Sequence, residues 1–376
     1  MFEQLAARMD GSSPTLSRRA AIGAFSAAGL TAAALGRIGQ PPVPPQPTAP
    51  PVGSPPAPAK PQPATPTGIS LPAGTDLNGA GFYRFKVGGV GGFTLTLLTD
   101  GSMPMSLGMF GGGPSREDVE AAAAEAMIPP ARMMGHVHGL LIDAGAGDGG
   151  RVLVDTGCGS GMGSGTGRLL RSLALAGVTP AQIGAVVITH AHPDHVGGLM
   201  EGAGPNVFPS AHFFVAKAEV DFWMSNPDLG RSHLDVKMKD AVKMTAKTLF
   251  TQLSDAAFKD RLHLVGDGDR VIEGVSLTAA PGHTPGHSAV TVASAAERFV
   301  YLTDLAHHAP IQFPHPEWHV AYDTDPVQAA KTRRSMLTKV AAEKTLVSGA
   351  HLPFPAVGYV KKDGSGFTWV PRVWEW

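Results

Sequence analysis

An α/β domain is what this sequence predicts, and three observations carry that reading. Short apolar, β-branched runs recur along residues 79–376, four of them end in a histidine or an aspartate, and segments with one apolar helical face alternate with them. The chain of 376 residues, 43% hydrophobic, can bury a large core, and its length alone allows one large domain or two. A formal net charge of -1, with no long Lys/Arg block in this part, argues against a nucleic-acid partner. The single cysteine, Cys158, excludes an internal disulfide and a Cys-rich metal cluster. Within Val154-Asp155-Thr156-Gly157-Cys158-Gly159 it reads as a buried, inert thiol.

Two segments precede the domain. Ser17-Arg18-Arg19-Ala20-Ala21-Ile22 leads a small-residue apolar run from about Ala20 to Leu35, too short to span comfortably as a mature membrane helix. Twin arginines ahead of such a run resemble the bacterial twin-arginine export signal. Residues 1–36 are therefore read as that signal, with Ala32-Ala33-Ala34 a candidate cleavage site and the periplasm or exterior as destination. From Gln40 to Thr67 about every second residue is proline, which neither forms a helix nor packs a core. Residues 37–78 thus read as a disordered tether, and residues 79–376 as the folded domain.

Within the domain, Phe82 to Val87 and Phe93 to Leu98 alternate in polarity across glycines and predict an antiparallel hairpin, ended by Thr99-Asp100-Gly101. Ser102 to Gly113, rich in Met and Gly, reads as a mobile loop, and its Met and Phe residues from Met103 to Phe110 as a lid or a homodimer surface. Ser115 with Asp118 forms a capping-box pattern that opens a helix to about Met127. His136 to Ile142 and Arg151 to Asp155 are strands around a Gly/Asp turn. His136 and His138 form an H-x-H pair but have no third partner nearby, so they read as ordinary strand residues. Asp155 closes a buried run, where a carboxylate is costly unless paired, and is assigned to hold a ligand histidine. The glycine-rich Gly159 to Gly167 lacks the Lys-Ser/Thr ending of a phosphate loop. Leu169, Leu170, Leu173 and Ala176 share a helical face that Gly177 ends. Phe213 to Val215 is a strand, Ala218 to Met224 and Asp235 to Phe250 are helices, and Val271 to Leu277 belongs to strands.

The chemistry concentrates in Thr189-His190-Ala191-His192-Pro193-Asp194-His195, which follows the buried-strand run Ala185 to Ile188. On extended chain His190 and His192 point the same way, and Pro193 favours a turn that returns Asp194 and His195 toward them. Chance would produce this pattern on the order of once per thousand chains of this length, so it is read as a site. Imidazole and carboxylate ligands suit zinc and similar divalent ions, and four so close exceed what one open catalytic ion takes, which suggests two ions. His283, in the turn Pro281 to His287, Asp304 after Phe299 to Leu302, and His351 after Thr345 to Ala350 each close a strand and complete the set.

These segments resemble the four motifs of the metallo-β-lactamase superfamily, whose fold is a four-layer αβ/βα sandwich with metals at one sheet edge. Phe82 to Gly101, His192 to Met200, Asp221-Phe222-Trp223 and His351 to Pro355 resemble its methyl parathion hydrolase branch, and the likeness runs from about Gly81 onward. The resemblance implies that His190, His192 and His283 hold one ion, that Asp194, His195 and His351 hold the other, and that Asp304 bridges them. Asp304 distinguishes the chain from true β-lactamases. Trp223 and Met162 are assigned to the substrate pocket. Gly161-Met162-Gly163-Ser164 stands where the parathion hydrolases carry an aromatic pocket residue, which argues against efficient organophosphate turnover.

The expected function is hydrolysis of small neutral esters, aryl esters or lactones, with organophosphate triesters as promiscuous substrates. A metal-bridging hydroxide is the expected nucleophile, with Asp304 and Asp194 as the catalytic carboxylates. No separate leaving-group acid is identifiable; His287 reads better as structural. A thioester hydrolase of the glyoxalase II type is disfavoured because export separates it from cytosolic glutathione. A non-catalytic exported metal-binding protein is disfavoured by the complete ligand set.

Overall fold

The computed structural model describes residues 81–376 apart from 90–91, 112, 130–132, 146–149, 201, 203, 295–296 and 374–376. The expected export signal and proline tether lie outside the described residues. The first sheet begins with the predicted hairpin, β1 (Phe82–Val87) and β2 (Phe93–Pro104), paired from Phe82↔Leu98 to Val87↔Phe93. β2 does not stop at Gly101. That residue takes φ +138, the register shifts there, and the strand continues to Pro104. A bulge thus stands where the sequence suggested a strand end.

The Met-rich stretch beyond is also ordered. Ser106 caps a 3-10 turn at Leu107–Met109, and β3 (Phe110–Gly111) follows. Met105, Leu107 and Phe110 are buried against Val119, Ala123, Ile311 and Trp318. These three side chains pack within the chain, not on the exposed surface that the composition suggested. α1 (Arg116–Glu125) carries the predicted capping box, both reciprocal bonds of Ser115 and Asp118 being made.

β4 (Met134–Asp143), β5 (Arg151–Val154), α2 (Leu169–Leu175), β6 (Ala185–Ile188), the short α3 (Pro193–Val196), β7 (His212–Ala216), α4 (Lys217–Met224), α5 (Val236–Leu253) and β8 (Leu262–Val265) complete the first half. Its sheet runs β1-β2-β4-β5-β6-β7-β8, with β5 through β8 parallel. The inner strands are apolar on both faces, as parallel strands covered on two sides must be. In β6, Ala185 and Val187 face one core cluster while Val186 and Ile188 face another.

The second half holds β9 (Arg270–Ile272), β10 (Val275–Ala279), β11 (Ser288–Ser294), β12 (Glu297–Tyr301), α6 (Ala309–Gln312), β13 (His319–Val320), α7 (Pro326–Glu343), β14 (Leu346–Ser348), β15 (Val357–Asp363) and β16 (Gly366–Pro371). Its sheet runs β16-β15-β14-β12-β11-β10-β9, and β13 pairs with β3. One core cluster joins Leu95, Val152 and Val187 of the first sheet to Val290, Phe299 and Val347 of the second, together with Leu337 of α7. A second joins the far face of the first sheet to α2, α4 and α5 through Leu173, Trp223 and Phe250. The layers are helix, sheet, sheet, helix, the predicted αβ/βα sandwich. Each Val, Leu or Phe buried there contributes about 1.5–3 kcal/mol. The sequence reading assigned no element to α7, although Asp325 caps it and Pro326 occupies its first turn.

Candidate metal centre

All seven predicted ligands sit where strands end at one edge of the two sheets. β6 delivers Thr189 and His190, and the chain stays extended through His192 (φ -71, ψ 151) before Pro193 opens α3. That single turn folds Asp194 and His195 back toward His190. His283 lies in the turn between β10 and β11, Asp304 in a 3-10 turn after β12, and His351 directly beyond β14. His190, His192 and His283 form one group able to hold a metal ion, and Asp194, His195, Asp304 and His351 a second, ligand atoms in each lying within 4.8 Å of one another. The first half of the chain supplies four of these residues and the second half three.

The imidazoles are aimed by what holds their other nitrogen. His195 Nδ1 is 2.8 Å from Asp155 Oδ2. Thr189 donates its hydroxyl to Asp155 (2.8 Å) and accepts from His190 Nδ1 (3.1 Å). His283 Nδ1 donates to Asp323 Oδ1 at 2.8 Å, and His351 Nδ1 to the His136 carbonyl at 2.6 Å. With Nδ1 so engaged, each ring turns its Nε2 inward. Around Asp304, Nε2 of His195 lies 3.1 Å from Oδ1, while Nε2 of His351, His283 and His190 lie 3.0, 3.3 and 3.7 Å from Oδ2. Nε2 of His190, His195 and His283, and Oδ1 of Asp304, are buried without a hydrogen-bond partner. Lone pairs left bare in a dry site are costly unless something electrophilic takes them, and nitrogen and oxygen donors of this kind fit a divalent metal ion.

Electrostatics agree. Burial, then the neighbouring imidazoles, push His190 and His192 well below the ordinary histidine value, so both are neutral donors. Burial also disfavours charge on His195, but Asp304, Asp194 and Asp155 override it and raise the group well above its ordinary value. His283 is lifted in the same way to about 9, and the Asp304 carboxyl is held far below the carboxylate range by His195, His351 and His190 despite its burial. The pocket therefore favours positive charge, which a metal ion supplies without any proton.

The Asp304 turn is itself strained. Thr303 adopts φ +52, rare for a β-branched residue and worth about 1–3 kcal/mol. His287 holds it. Its Nδ1 donates to Ala280 O (2.8 Å), and its Nε2 accepts from Thr303 Oγ1 (2.6 Å) and from the Asp304 amide (3.3 Å). His287 is thus a brace for Asp304, the structural role its sequence context favoured.

Several contributors lie beyond the sequence-predicted set. His307, three residues past Asp304, is buried with Nε2 3.2 Å from Asp304 Oδ2 and forms a third donor group with His283 and Asp304. Its one sequence signal is the His307-His308 pair just after a ligand. Asp323 aims His283 and is itself approached by the buried Arg333 guanidinium at 3.5 Å. Arg333 also donates to the carbonyls of Leu305, Pro316 and Trp318, pinning the segment after Asp304. His136 and His138 enter neither ligand group; His138 Nε2 meets Leu352 O at 2.9 Å.

The two pocket assignments change. Trp223 is 2% exposed, edge-on to His192 at 6.1 Å, with its N–H given to Glu219 at 2.6 Å. It backs His192 from within the core and presents no open face, because α4 packs beneath the motif. Met162 is buried beside Val137 and Cys158. Cys158 is buried as expected, and its thiol is pushed up by burial and by Asp100.

The metallo-beta-lactamase superfamily model matches residues 135–351. Among solved structures, AidC, a dizinc quorum-quenching lactonase in complex with a product, N-hexnoyl-L-homoserine, is 30% identical with a TM-score of 0.71, over 78% of this chain and 98% of its own. The hydrolase AbOPH of the beta lactamase superfamily is 27% identical with a TM-score of 0.70, over 79% and 99% of the two chains. A probable metal-dependent hydrolase from Staphylococcus aureus, 20% identical, shares the fold at a TM-score of 0.59, over 77% and 99%. No curated protein matches the sequence. The matched span runs from β4 to His351 and contains every residue of both ligand groups, and this chain belongs to the metallo-beta-lactamase superfamily of metal-dependent hydrolases.

Proposed function

We propose that the protein is a binuclear, zinc-dependent hydrolase of small neutral esters, with lactones its leading substrate class, aryl esters next, and organophosphate triesters as promiscuous substrates. The observation that carries this is the convergence of four imidazole Nε2 atoms on Asp304 with Nδ1 of each ring already committed. The 30% identity to a dizinc lactonase favours zinc and lactones. His190, His192 and His283 would hold one ion, Asp194, His195 and His351 the other, and Asp304 would be shared. Two bound divalent ions supply an acidified water and a Lewis acid for the substrate oxygen.

The chain does the rest. Asp155, Thr189, Asp323 and the His136 carbonyl fix the rings, so little reorganisation is left for the reaction itself. Asp304 reaches both groups, with Oδ1 toward His195 and Oδ2 toward His351 of the same group and His283 of the other. Asp194 is the exposed member, its side chain 17% accessible against 6% or less for His190, His195, His283, Asp304 and His351. Substrate would enter over Asp194, whose carboxylate then orients the attacking water. The Ser17-Arg18-Arg19 pattern supports export to the periplasm as the setting.

The test is metal content and turnover on one preparation of the full chain, with dihydrocoumarin, p-nitrophenyl acetate and methyl parathion in parallel. We expect two zinc equivalents, lactone turnover above the other two, and loss of turnover in His192→Ala. Metal-loaded protein that hydrolyses none of the three would sink the substrate assignment.

A further inference from the structure

Glu219 lies in the first turn of α4, fully buried, with no arginine or lysine among its hydrogen-bond partners. Burying a carboxylate without a cation is expensive unless its lone pairs are taken up. Four donors take them. Oε1 accepts from the Ala191 amide at 2.9 Å and the Trp223 indole at 2.6 Å; Oε2 accepts from the Thr284 hydroxyl at 2.5 Å and the Gly286 amide at 3.1 Å. Ala191 lies between His190 and His192, and Thr284 follows His283. One oxygen therefore grips the loop that carries two ligands, and the other grips the loop that carries the third.

The surroundings are built around this contact. A Cβ on Gly286 would fall within 2.5 Å of Glu219 Cα, so glycine is required for the turn to sit directly on α4. Trp223, held by the same carboxylate, stands edge-on to His192. We propose that Glu219 is a positioning residue that sets the spacing of His190 and His192 against His283, and thereby the affinity of the ion those three hold. This rests on the proposed binuclear site. The other group is fixed by different means: His195 by Asp155, His351 by the His136 carbonyl, and Asp194 by its place in α3. None of these bonds involves Glu219, so the effect is confined to one of two ions.

The experiment is a cobalt(II) titration of the metal-stripped full chain, read by calorimetry and visible absorption, for wild type, Glu219→Gln and Glu219→Ala. Wild type is expected to take two equivalents. Glu219→Ala should keep one at wild-type affinity and weaken the other about 10–100-fold, the range for residues that orient metal ligands. Glu219→Gln should fall between, because its amide can still accept from Ala191 and Trp223 and donate to Thr284 while leaving Gly286 N–H unpaired. It keeps the side-chain volume, so the test stands if the alanine variant does not fold. Equal weakening of both ions, or of neither, in a folded Glu219→Gln protein would overturn the proposal and leave the binuclear site intact. Fewer than two equivalents in wild type would overturn that site reading, and this inference with it.

Discussion

Asp323 and Asp155 each fix one imidazole, but their surroundings differ, and the difference sets what their loss should do. Asp323 receives His283 Nδ1 at 2.8 Å and the Val320 amide at 3.2 Å, beside Arg333, and His283 and Arg333 hold its carboxyl down near 2 against the effect of burial. Asp323→Ala would free His283 to rotate and strand the Arg333 guanidinium in the core. We expect metal affinity to fall about 10–100-fold, with a stability loss of about 3–5 kcal/mol from the orphaned charge. Dialysis against a metal buffer and urea unfolding check the two parts; unchanged affinity in a folded variant would remove Asp323 from the site. His307 offers a smaller contrast. Its bond to Asp304 steadies a carboxylate already approached by His195, His283 and His351, so His307→Ala should cost about 10-fold in metal affinity, measured in the same dialysis. A complete loss of one equivalent would instead make His307 a ligand.

At the scale of elements, the ligand loops depend on close backbone approach. Gly197, at the end of α3, packs so tightly on the 155–158 segment that an added Cβ would lie 2.9 Å from Cys158 Cα and nearer still to its carbonyl. Gly197→Ala must therefore push α3 outward, at about 1–3 kcal/mol, and carry Asp194 and His195 with it. The measurement is the urea midpoint together with metal stoichiometry, and an unchanged midpoint would mean the contact is looser than drawn. The seven candidate ligands were legible in the sequence because local patterns announce them, the H-x-H-x-D-H run for His190, His192, Asp194 and His195 and an apolar run closing on a single His or Asp for His283, Asp304 and His351. Glu219 and Asp323 were not. Their partners lie 28 and 65 residues away for Ala191 and Thr284, and 40 for His283, and nothing in the neighbouring residues marks a carboxylate as a clamp. Met105, Leu107 and Phe110 misled for the opposite reason: a Met- and Gly-rich composition suggests exposure, whereas α1 and α6, met only in the fold, cover them.

For the whole molecule, the centre joins two sheets whose facing sides meet through apolar packing and a few polar bonds such as those of Glu219 and Tyr301. His190, His192, Asp194 and His195 belong to the first half, His283, Asp304 and His351 to the second, so ions held as proposed would cross-link the halves. Chelation should therefore lower the melting temperature. At ion concentrations a hundredfold above Kd, each site adds about 2.7 kcal/mol to folding, which for a domain of this size corresponds to about 4 °C per ion. The loss should be graded with two ions, and Glu219→Gln should surrender part of it at lower chelator concentration than wild type. Scanning calorimetry across a chelator series, with metal content measured at each step, decides the matter. A melting temperature that stayed constant while both ions left would mean that the protein's own contacts fix the sheets, and that the ions contribute to chemistry without contributing to the fold.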